Sequence, residues 1–184
     1  MKKLLMLLYF LFLMQFLYAQ NIYYTKTGRL SFEAGTPLET IDPVNKSLTS
    51  VMDISSGKIE FAVLNRGFEF RKSLMQQHFN ENYMESHKYP KSTFKGVIEN
   101  IEKIDFKTDG VYAVVVKGVM DIHGVKKNIE VPGSIIIKNG VISCNAKFSL
   151  LINDFNIKIP AVVRDKISPD VKVTVDCNYS LLDK

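Results

Sequence analysis

The chain has 184 residues, of which 46% are hydrophobic, and a formal net charge of +5. Its lysines and arginines are spread along the chain instead of clustered, which argues against a nucleic-acid partner. The length suits one domain with a sizeable core and is too short for two ordinary domains plus a targeting segment.

The first residues predict a cleaved signal peptide. Lys2 and Lys3 precede an apolar run from Leu4 to Tyr18 that Ala19 closes. As a helix this run would span about 22 Å, short of the roughly 30 Å hydrocarbon core of a bilayer. We therefore expect a signal peptide over residues 1–19, a mature domain over residues 20–184, and a periplasmic or secreted location.

Apolar and polar residues alternate with period two through most of the remaining chain, which is typical of half-buried β-strands. Short turn signals separate the runs, and Asn139-Gly140 is the strongest because a type I′ hairpin needs positive φ at both central residues. A bulge or bend is expected at Pro132-Gly133. The runs predict strands near 28–35, 48–55, 57–65, 92–107, 110–122, 126–138, 140–151 and 170–182.

Long antiparallel strands in hairpin order favour an up-and-down barrel, because closure removes exposed sheet edges. The expected fold class is therefore all-β, an eight-stranded antiparallel barrel with one helix packed against it. A barrel of this size holds either packed side chains or one slender ligand, and the alternation alone leaves both open.

The stretch HFNENYMESHKYPKSTFKG, His78 to Gly96, interrupts the strand pattern. The segment from Ser73 to Gln76 has the form of a capping box, and Pro90 disfavours helix just before it, so a helix is predicted from Ser73 to about residues 86–88. We expect its apolar stripe to pack on the open end or flank of the barrel. The stripe consists of Leu74, Met75, Phe79 and Tyr83.

Few residues carry a recognisable catalytic or metal-binding pattern. The three histidines, His78, His87 and His123, lack metal-ligand spacing, and there is no GxSxG elbow. Glu81 and Glu85 would share a helix face and are interpreted as solvated. We expect no metal, no cofactor and no enzyme, although an enzyme or stress-response factor acting at the barrel mouth stays open as the alternative.

Two further features leave alternatives open. Cys144 and Cys177 could form a disulfide in an oxidising compartment, or remain two buried thiols. The run Val111 to Val116 is apolar on both strand faces, so its outer side should be covered by the helix, by a neighbouring segment or by another subunit. A structural module that binds a partner through this face is a third interpretation of the function.

A longer motif indicates a family. His78-Phe79, then Lys88-Tyr89-Pro90 with Phe94, then the run GVMDIHGVKK from Gly118 to Lys127 follow in order. This pattern resembles the YceI-like family most clearly over residues 57–133. The resemblance implies a lipocalin-like barrel, export to the periplasm, and a tunnel for an isoprenoid or other lipid tail with no defined catalytic set.

On this basis the chain is expected to enclose an isoprenoid-like or fatty amphiphile for sequestration or transport. Methionines and aromatics of the helix would form a lid over the lipid, since methionine adapts its shape and aromatics supply apolar area. A homodimer and transient membrane contact stay open as further partners. The expected ligand-binding residues are Phe61, Met75, His78, Phe79, Tyr83, Met84, Phe94, Ile98, Tyr112, Phe148 and Phe155.

Overall fold

The computed structural model describes residues 21–182, so the predicted signal peptide lies outside the described residues. The eight strands are β1 (Ile22–Gly35), β2 (Val44–Asp53), β3 (Lys58–Leu64), β4 (Lys91–Ile98), β5 (Gly110–Ile122), β6 (Val125–Lys138), β7 (Val141–Leu151) and β8 (Ile167–Leu181). Helix α1 (Ser73–His78) continues directly into one π-helical turn (Phe79–Tyr83). Single 3₁₀ turns lie at Asn65–Gly67, Ile101–Lys103, Ile152–Phe155 and Ala161–Val163.

The strands form a closed barrel in which each strand pairs with its sequence neighbours and β8 pairs with β1. All pairs are antiparallel, and the predicted fold class is confirmed. At Gly28 the backbone of β1 lies close to the Cys177 side chain of β8, and a Cβ atom at this position would be 2.7 Å from Sγ of Cys177. Within the described residues no helix is long and apolar enough to cross a membrane.

Two hairpin turns have positive φ at both central residues, and the first of them was predicted at Asn139-Gly140. Asn139 and Gly140 both have positive φ, 51° and 75°, as a type I′ turn requires. His123 and Gly124 show the same signature between β5 and β6, with φ of 54° and 74°.

The strand predictions need correction in several places. The first strand begins at Ile22, six residues before its predicted start, and the second begins at Val44, four residues before its predicted start. The fourth strand was predicted to reach residue 107 but ends at Ile98, because Asn100 adopts a left-handed conformation and starts a 3₁₀ turn. At Pro132-Gly133 the register with β5 continues without a shift, so there is no bulge on that side. Instead, β7 pairs with β6 only from Gly133 onward, which leaves the first half of β6 to be covered by another segment.

The helix also differs from its prediction at both ends. Lys72, not Ser73, is the N-cap and makes no side-chain cap bond; Oε1 of Gln76 instead accepts a hydrogen bond from the backbone N–H of Phe70 at 3.2 Å. The helical segment ends at Tyr83, several residues early, because Glu85 has a φ of 43°. Glu85 therefore does not share a helix face with Glu81.

The barrel interior divides into two halves. At the end where β6 turns into β7, which we call the closed end, the side chains are packed and almost fully buried. The other end, which we call the open end, carries the β1–β2 loop and two long connections, residues 65–90 and 152–166. The closed-end core includes Met52, Ile59, Ile98, Ile135, Ile137 and Ile142.

Both cysteines lie in the closed half, directly opposite each other on β7 and β8. Each is a free thiol; Cys177 is buried and Cys144 is half-buried. The hydrogen bond that the Cys177 thiol donates to Cys144, together with burial, raises the pKa of Cys177 far above its usual value. The hydroxyl of Tyr179 lies 2.8 Å from Oγ of Ser50 in the same region.

The outer face of β5 is not covered by the helix. Val111 is 71% exposed, Ala113 is also exposed, and Val115 is half-buried. The helix lies at the open end instead, since it belongs to the connection between β3 and β4. A second subunit on this face stays a prediction.

Candidate functional site

The open half of the barrel contains a chamber with a volume of about 380 Å³, lined almost entirely by apolar side chains. This size falls at the low end of ligand pockets, which span roughly 300–1,000 Å³. The structure thus shows a chamber confined to one end of the barrel, whereas a tunnel was expected. The closed-end core forms its floor.

Three groups of residues form the chamber walls. Alternate residues of the strands point inward, because side chains of a strand alternate between its two faces. The helical segment covers one side, and the connection between β7 and β8 covers another. The strands supply Leu30, Phe32, Phe61, Phe94, Met120, Phe148 and Val173; the helical segment supplies Met75, His78, Phe79 and Tyr83; the connection supplies Phe155, Ile157, Ile159 and Val163.

Phe79 lies at the centre of an aromatic cluster where the helical segment meets the barrel. Its ring centroid is 5.0 Å from that of Phe70, 5.5 Å from Phe68 and 5.7 Å from Phe32. All four rings also line the chamber. The helical segment is therefore attached to the barrel by the same side chains that would contact a ligand.

The π-helical turn begins at Phe79. Such turns are rare and occur frequently at functional sites. Tyr83 at its end is half-buried, and burial raises the pKa of its hydroxyl. The neutral phenol is therefore favoured over the phenolate on this apolar wall.

Polar groups on the chamber wall are few and mostly engaged with protein partners. The side chain of Asn65, which is 1% exposed, donates to the carbonyl of Tyr89 at 2.7 Å and accepts from Oγ of Ser92 at 2.9 Å. Nζ of Lys72 lies 2.8 Å from the Glu39 carboxylate, and this bond lowers the pKa of Glu39. Lys166 also lines the chamber and is exposed.

A second contact network fixes the end of the helical connection. The ring of His123 lies within hydrogen-bonding distance of two oxygens, the Glu85 carboxylate at 2.8 Å and the carbonyl of Phe155 at 3.2 Å. The Tyr89 ring packs on it with centroids 4.5 Å apart. His123 thus joins the β5–β6 turn to both long connections that cover the open end, and it does not line the chamber.

The structure brings together nine of the eleven residues expected to bind the ligand: Phe61, Met75, His78, Phe79, Tyr83, Met84, Phe94, Phe148 and Phe155 all line the chamber. Ile98 and Tyr112 do not. Ile98 lies at the far end of β4, within the packed closed-end core. Tyr112 lies near the start of β5, and its hydroxyl donates toward the carbonyl of Asp105 at 3.2 Å.

Several lining residues were missed. Phe68 and Phe70 follow β3 with period-two spacing, which could have extended the pattern of inward-facing aromatics. Ile157 and Ile159 alternate in the same way within the β7–β8 connection. This alternation could have identified these residues as inward-facing, but it lies outside the predicted strands and was therefore not used to predict the chamber wall.

The described residues contain no group of three or more His, Cys, Asp or Glu side chains that could hold a metal ion.

Comparison with protein families decides the relationship. A model of the YceI-like domain matches residues 24–179. The chain belongs to the YceI-like family. The match includes all of β2 to β7 and most of β1 and β8, so the resemblance extends well beyond the 57–133 motif. The comparison with curated proteins gives no match.

Solved structures share the fold of this YceI-like protein. A polyisoprenoid binding domain from Saccharophagus degradans, implicated in plant cell wall breakdown, aligns with a TM-score of 0.77 and 13% identity over 89% of this chain and 100% of that chain. BcnA of Burkholderia cenocepacia aligns with a TM-score of 0.68 and 13% identity over 83% of this chain and 96% of that chain. A Campylobacter jejuni YceI protein has a TM-score of 0.59 and 17% identity, over 76% of this chain and 84% of that chain.

Proposed function

We propose that this YceI-like protein binds the apolar chain of an isoprenoid-like or fatty amphiphile in the open-end chamber. The observation that carries the proposal is the chamber itself, which is preformed, about 380 Å³ in volume and lined by aromatic, methionine and aliphatic side chains. The structural likeness to a polyisoprenoid binding domain from another organism supports the same ligand class.

Burial of the chain would supply the binding free energy. Each methylene group moved from water into the chamber contributes about 0.8 kcal/mol before the cost of ordering the chain. Phe32, Phe61, Phe94 and Phe148 would supply most of the contact area from the barrel wall, and the helical segment would complete the enclosure as a lid.

The chamber volume suggests how much of the ligand is enclosed. Because the volume lies at the low end for sites that hold drug-sized molecules, we propose that the chamber takes one end of a long chain. Affinity should then rise with chain length only until the chamber is full. Steadily increasing affinity for much longer chains would contradict this part of the proposal.

Binding without covalent chemistry is favoured over catalysis at the barrel mouth. His78 is the one histidine on the chamber wall, and its Nδ1 lies 2.9 Å from Nδ2 of Asn82. His123 is already engaged by Glu85 and Phe155. The proposed role is sequestration or transport of the lipid after export, with residues 1–19 serving as the signal peptide.

Native mass spectrometry and lipid extraction of the purified protein would test the proposal, together with titration of the delipidated protein with a fluorescent fatty or polyprenyl probe. We expect a co-purifying amphiphile, or saturable probe binding at one site. Absence of both would refute the proposed function. Turnover of a small molecule without any lipid binding would instead support the enzyme alternative.

A further inference from the structure

We infer that the rim of the open end docks onto a lipid bilayer that contains anionic lipids, so that the chamber mouth faces the membrane. This inference rests on the proposed lipid-binding function and names the surface from which the ligand would be taken. Three exposed apolar side chains on three different segments carry it. They are Val162, Leu38 and Leu74, which are 84%, 67% and 60% exposed.

Polar contacts hold these three segments side by side. Oγ1 of Thr36 donates to the carbonyl of Asp165 at 2.9 Å, which joins the β1–β2 loop to the turn that carries Val162. Nζ of Lys72 lies 2.8 Å from the carboxylate of Glu39, which joins the same loop to the start of helix α1. Leu38, Leu74 and Val162 therefore belong to one continuous rim although 36 or more residues separate each from the next.

Each exposed side chain has a sequence neighbour on the chamber wall. Val163 follows Val162, Met75 follows Leu74, and Glu39 follows Leu38, and all three neighbours line the chamber. Leu151 itself lines the chamber and is also 51% exposed on the outside. At Leu74, Leu151 and Val162 the apolar surface thus passes from the interior to the outside, whereas at Leu38 the chamber-lining neighbour is the Glu39 carboxylate, which is paired with Lys72.

The charges of the rim complement an anionic surface. Lys158, Arg164 and Lys166 are exposed in the connection that carries Val162, and none of them forms an ion pair within residues 21–182. In the β1–β2 loop Glu39 pairs with Lys72 and Asp42 pairs with Arg71. Asp165 is the one acidic residue within the segment 158–166, so this segment keeps a net charge of +2. Basic residues near a membrane surface are attracted to anionic lipids.

A bilayer fits this surface better than a protein partner. The exposed apolar side chains lie on the β1–β2 loop, on helix α1 and on the β7–β8 connection, and insertion of single apolar side chains between headgroups needs no matching shape. The chamber also encloses only a limited volume, so the rest of a long chain would remain in the bilayer while its end enters the mouth.

Flotation of the full mature chain with vesicles tests the inference. The vesicles are phosphatidylcholine alone or a mixture of phosphatidylcholine and phosphatidylglycerol, whose anionic headgroups give the surface a negative potential. We expect association with the mixed vesicles and at least a fivefold loss for Val162→Asp and for Leu38→Asp. The matched control is Val111→Asp, a valine that is 71% exposed on the closed half and should bind like the unaltered protein.

Several outcomes would overturn the inference. These are no vesicle association by the unaltered protein, an equal loss for Val111→Asp, and equal association with both vesicle types. If light scattering shows that the unaltered protein is a dimer and that Val162→Asp is a monomer, that result would overturn membrane docking and show that the rim binds a second copy of the chain. Unfolding curves show whether each variant is folded. If Leu38→Asp does not fold, Leu38→Ser is used in its place as a milder substitution.

The same samples separate this inference from the proposed function. A soluble fatty probe should bind all folded variants equally, because Val162 and Leu38 lie outside the chamber lining. Probe binding without vesicle association would refute the docking surface and leave the proposed function intact. Vesicle association without probe binding would refute the proposed function.

Discussion

Truncation of Phe79 separates a lid that contacts ligand from a structural plug. Phe79→Ala removes a ring that packs on Phe32, Phe68 and Phe70 with centroid distances of 5.0 to 5.7 Å. Truncating a fully buried phenylalanine costs about 3–5 kcal/mol. Phe79 is only half-buried and one side of it faces the chamber, so we expect the free energy of unfolding of the delipidated protein to fall by about 2 kcal/mol.

The effect of Phe79→Ala on binding should exceed what stability alone explains. A bound chain would lose contact with the ring and with a helical segment that is less firmly attached to the barrel. We expect the affinity for a fluorescent fatty or polyprenyl probe to fall about tenfold, which corresponds to about 1.4 kcal/mol. Urea unfolding and probe titration are measured on the same delipidated preparation.

Phe106→Ala is the matched control, because Phe106 is half-buried and packs on the core without lining the chamber. It should lower stability by a similar amount and leave probe affinity unchanged. Unchanged probe binding by Phe79→Ala alongside a large loss of stability would refute the lid and leave the helical segment as a structural plug.

Three other substitutions test parts of the structure outside the aromatic cluster. Glu81→Lys should change stability and probe affinity little, because the side chain is exposed and forms no ion pair within the described residues. His123→Ala should lower the free energy of unfolding by about 1–3 kcal/mol, because it leaves the contacts to Glu85 and Phe155 unmade. Asp53→Asn should make the free energy of unfolding depend less on pH below about pH 4. Hydrogen bonds from Ser55 and Ser56 lower the pKa of Asp53 to about 2, so its contribution is present above about pH 4 and is lost as pH falls toward 2.

Each of these expectations has a clear contrary result. A large affinity loss for Glu81→Lys would place that residue at the binding surface. Equal stability of His123→Ala and the unaltered protein would show that His123 does not hold the connections together. Because Asp53 is largely solvated, its contribution should be about 1 kcal/mol or less, and a pH dependence unchanged by Asp53→Asn would be assigned to other carboxylates.

The strands were predictable because alternation reports directly which residues face the interior. Leu30, Phe32 and Ala34 alternate with polar residues in the predicted strand 28–35, and the structure places all three on the chamber wall. The turn at Asn139-Gly140 was equally predictable, since few residues other than asparagine and glycine tolerate positive φ. Local chemistry sufficed for both features.

The division of the interior into a packed half and a hollow half was not predictable from alternation. Ile98 and Phe94 lie on the same face of the same strand, yet Ile98 belongs to the packed core and Phe94 lines the chamber. Their difference depends on position along the barrel axis, which follows from strand stagger and register. Neither quantity can be read from one sequence whose strand ends are known only within a few residues.

The β7–β8 connection shows a second limit. Phe155 was expected to bind ligand through the family resemblance, and it lines the chamber at 2% exposure. Its neighbours Ile157 and Ile159 were missed because their alternation lies in an irregular segment outside the predicted strands, where alternation alone does not indicate which side chains face the interior. The helix end was missed for a related reason, since the positive φ of Glu85 is unusual for that residue type.

The packed half explains how the protein can maintain a hollow half. A dry cavity in a protein core costs about 24 cal/mol per Å³, so an empty chamber of 380 Å³ would cost about 9 kcal/mol, comparable to the whole stability of many domains. The chamber opens at the rim, so solvent can occupy part of it, and Met75, Met84 and Met120 on its wall can adjust their shapes. The antiparallel strand pairing around the barrel and the isoleucine-rich closed end then hold the wall in place while it lacks internal contacts. The apolar chain of a bound lipid, the proposed ligand, would supply those contacts and fill the hollow half of the core.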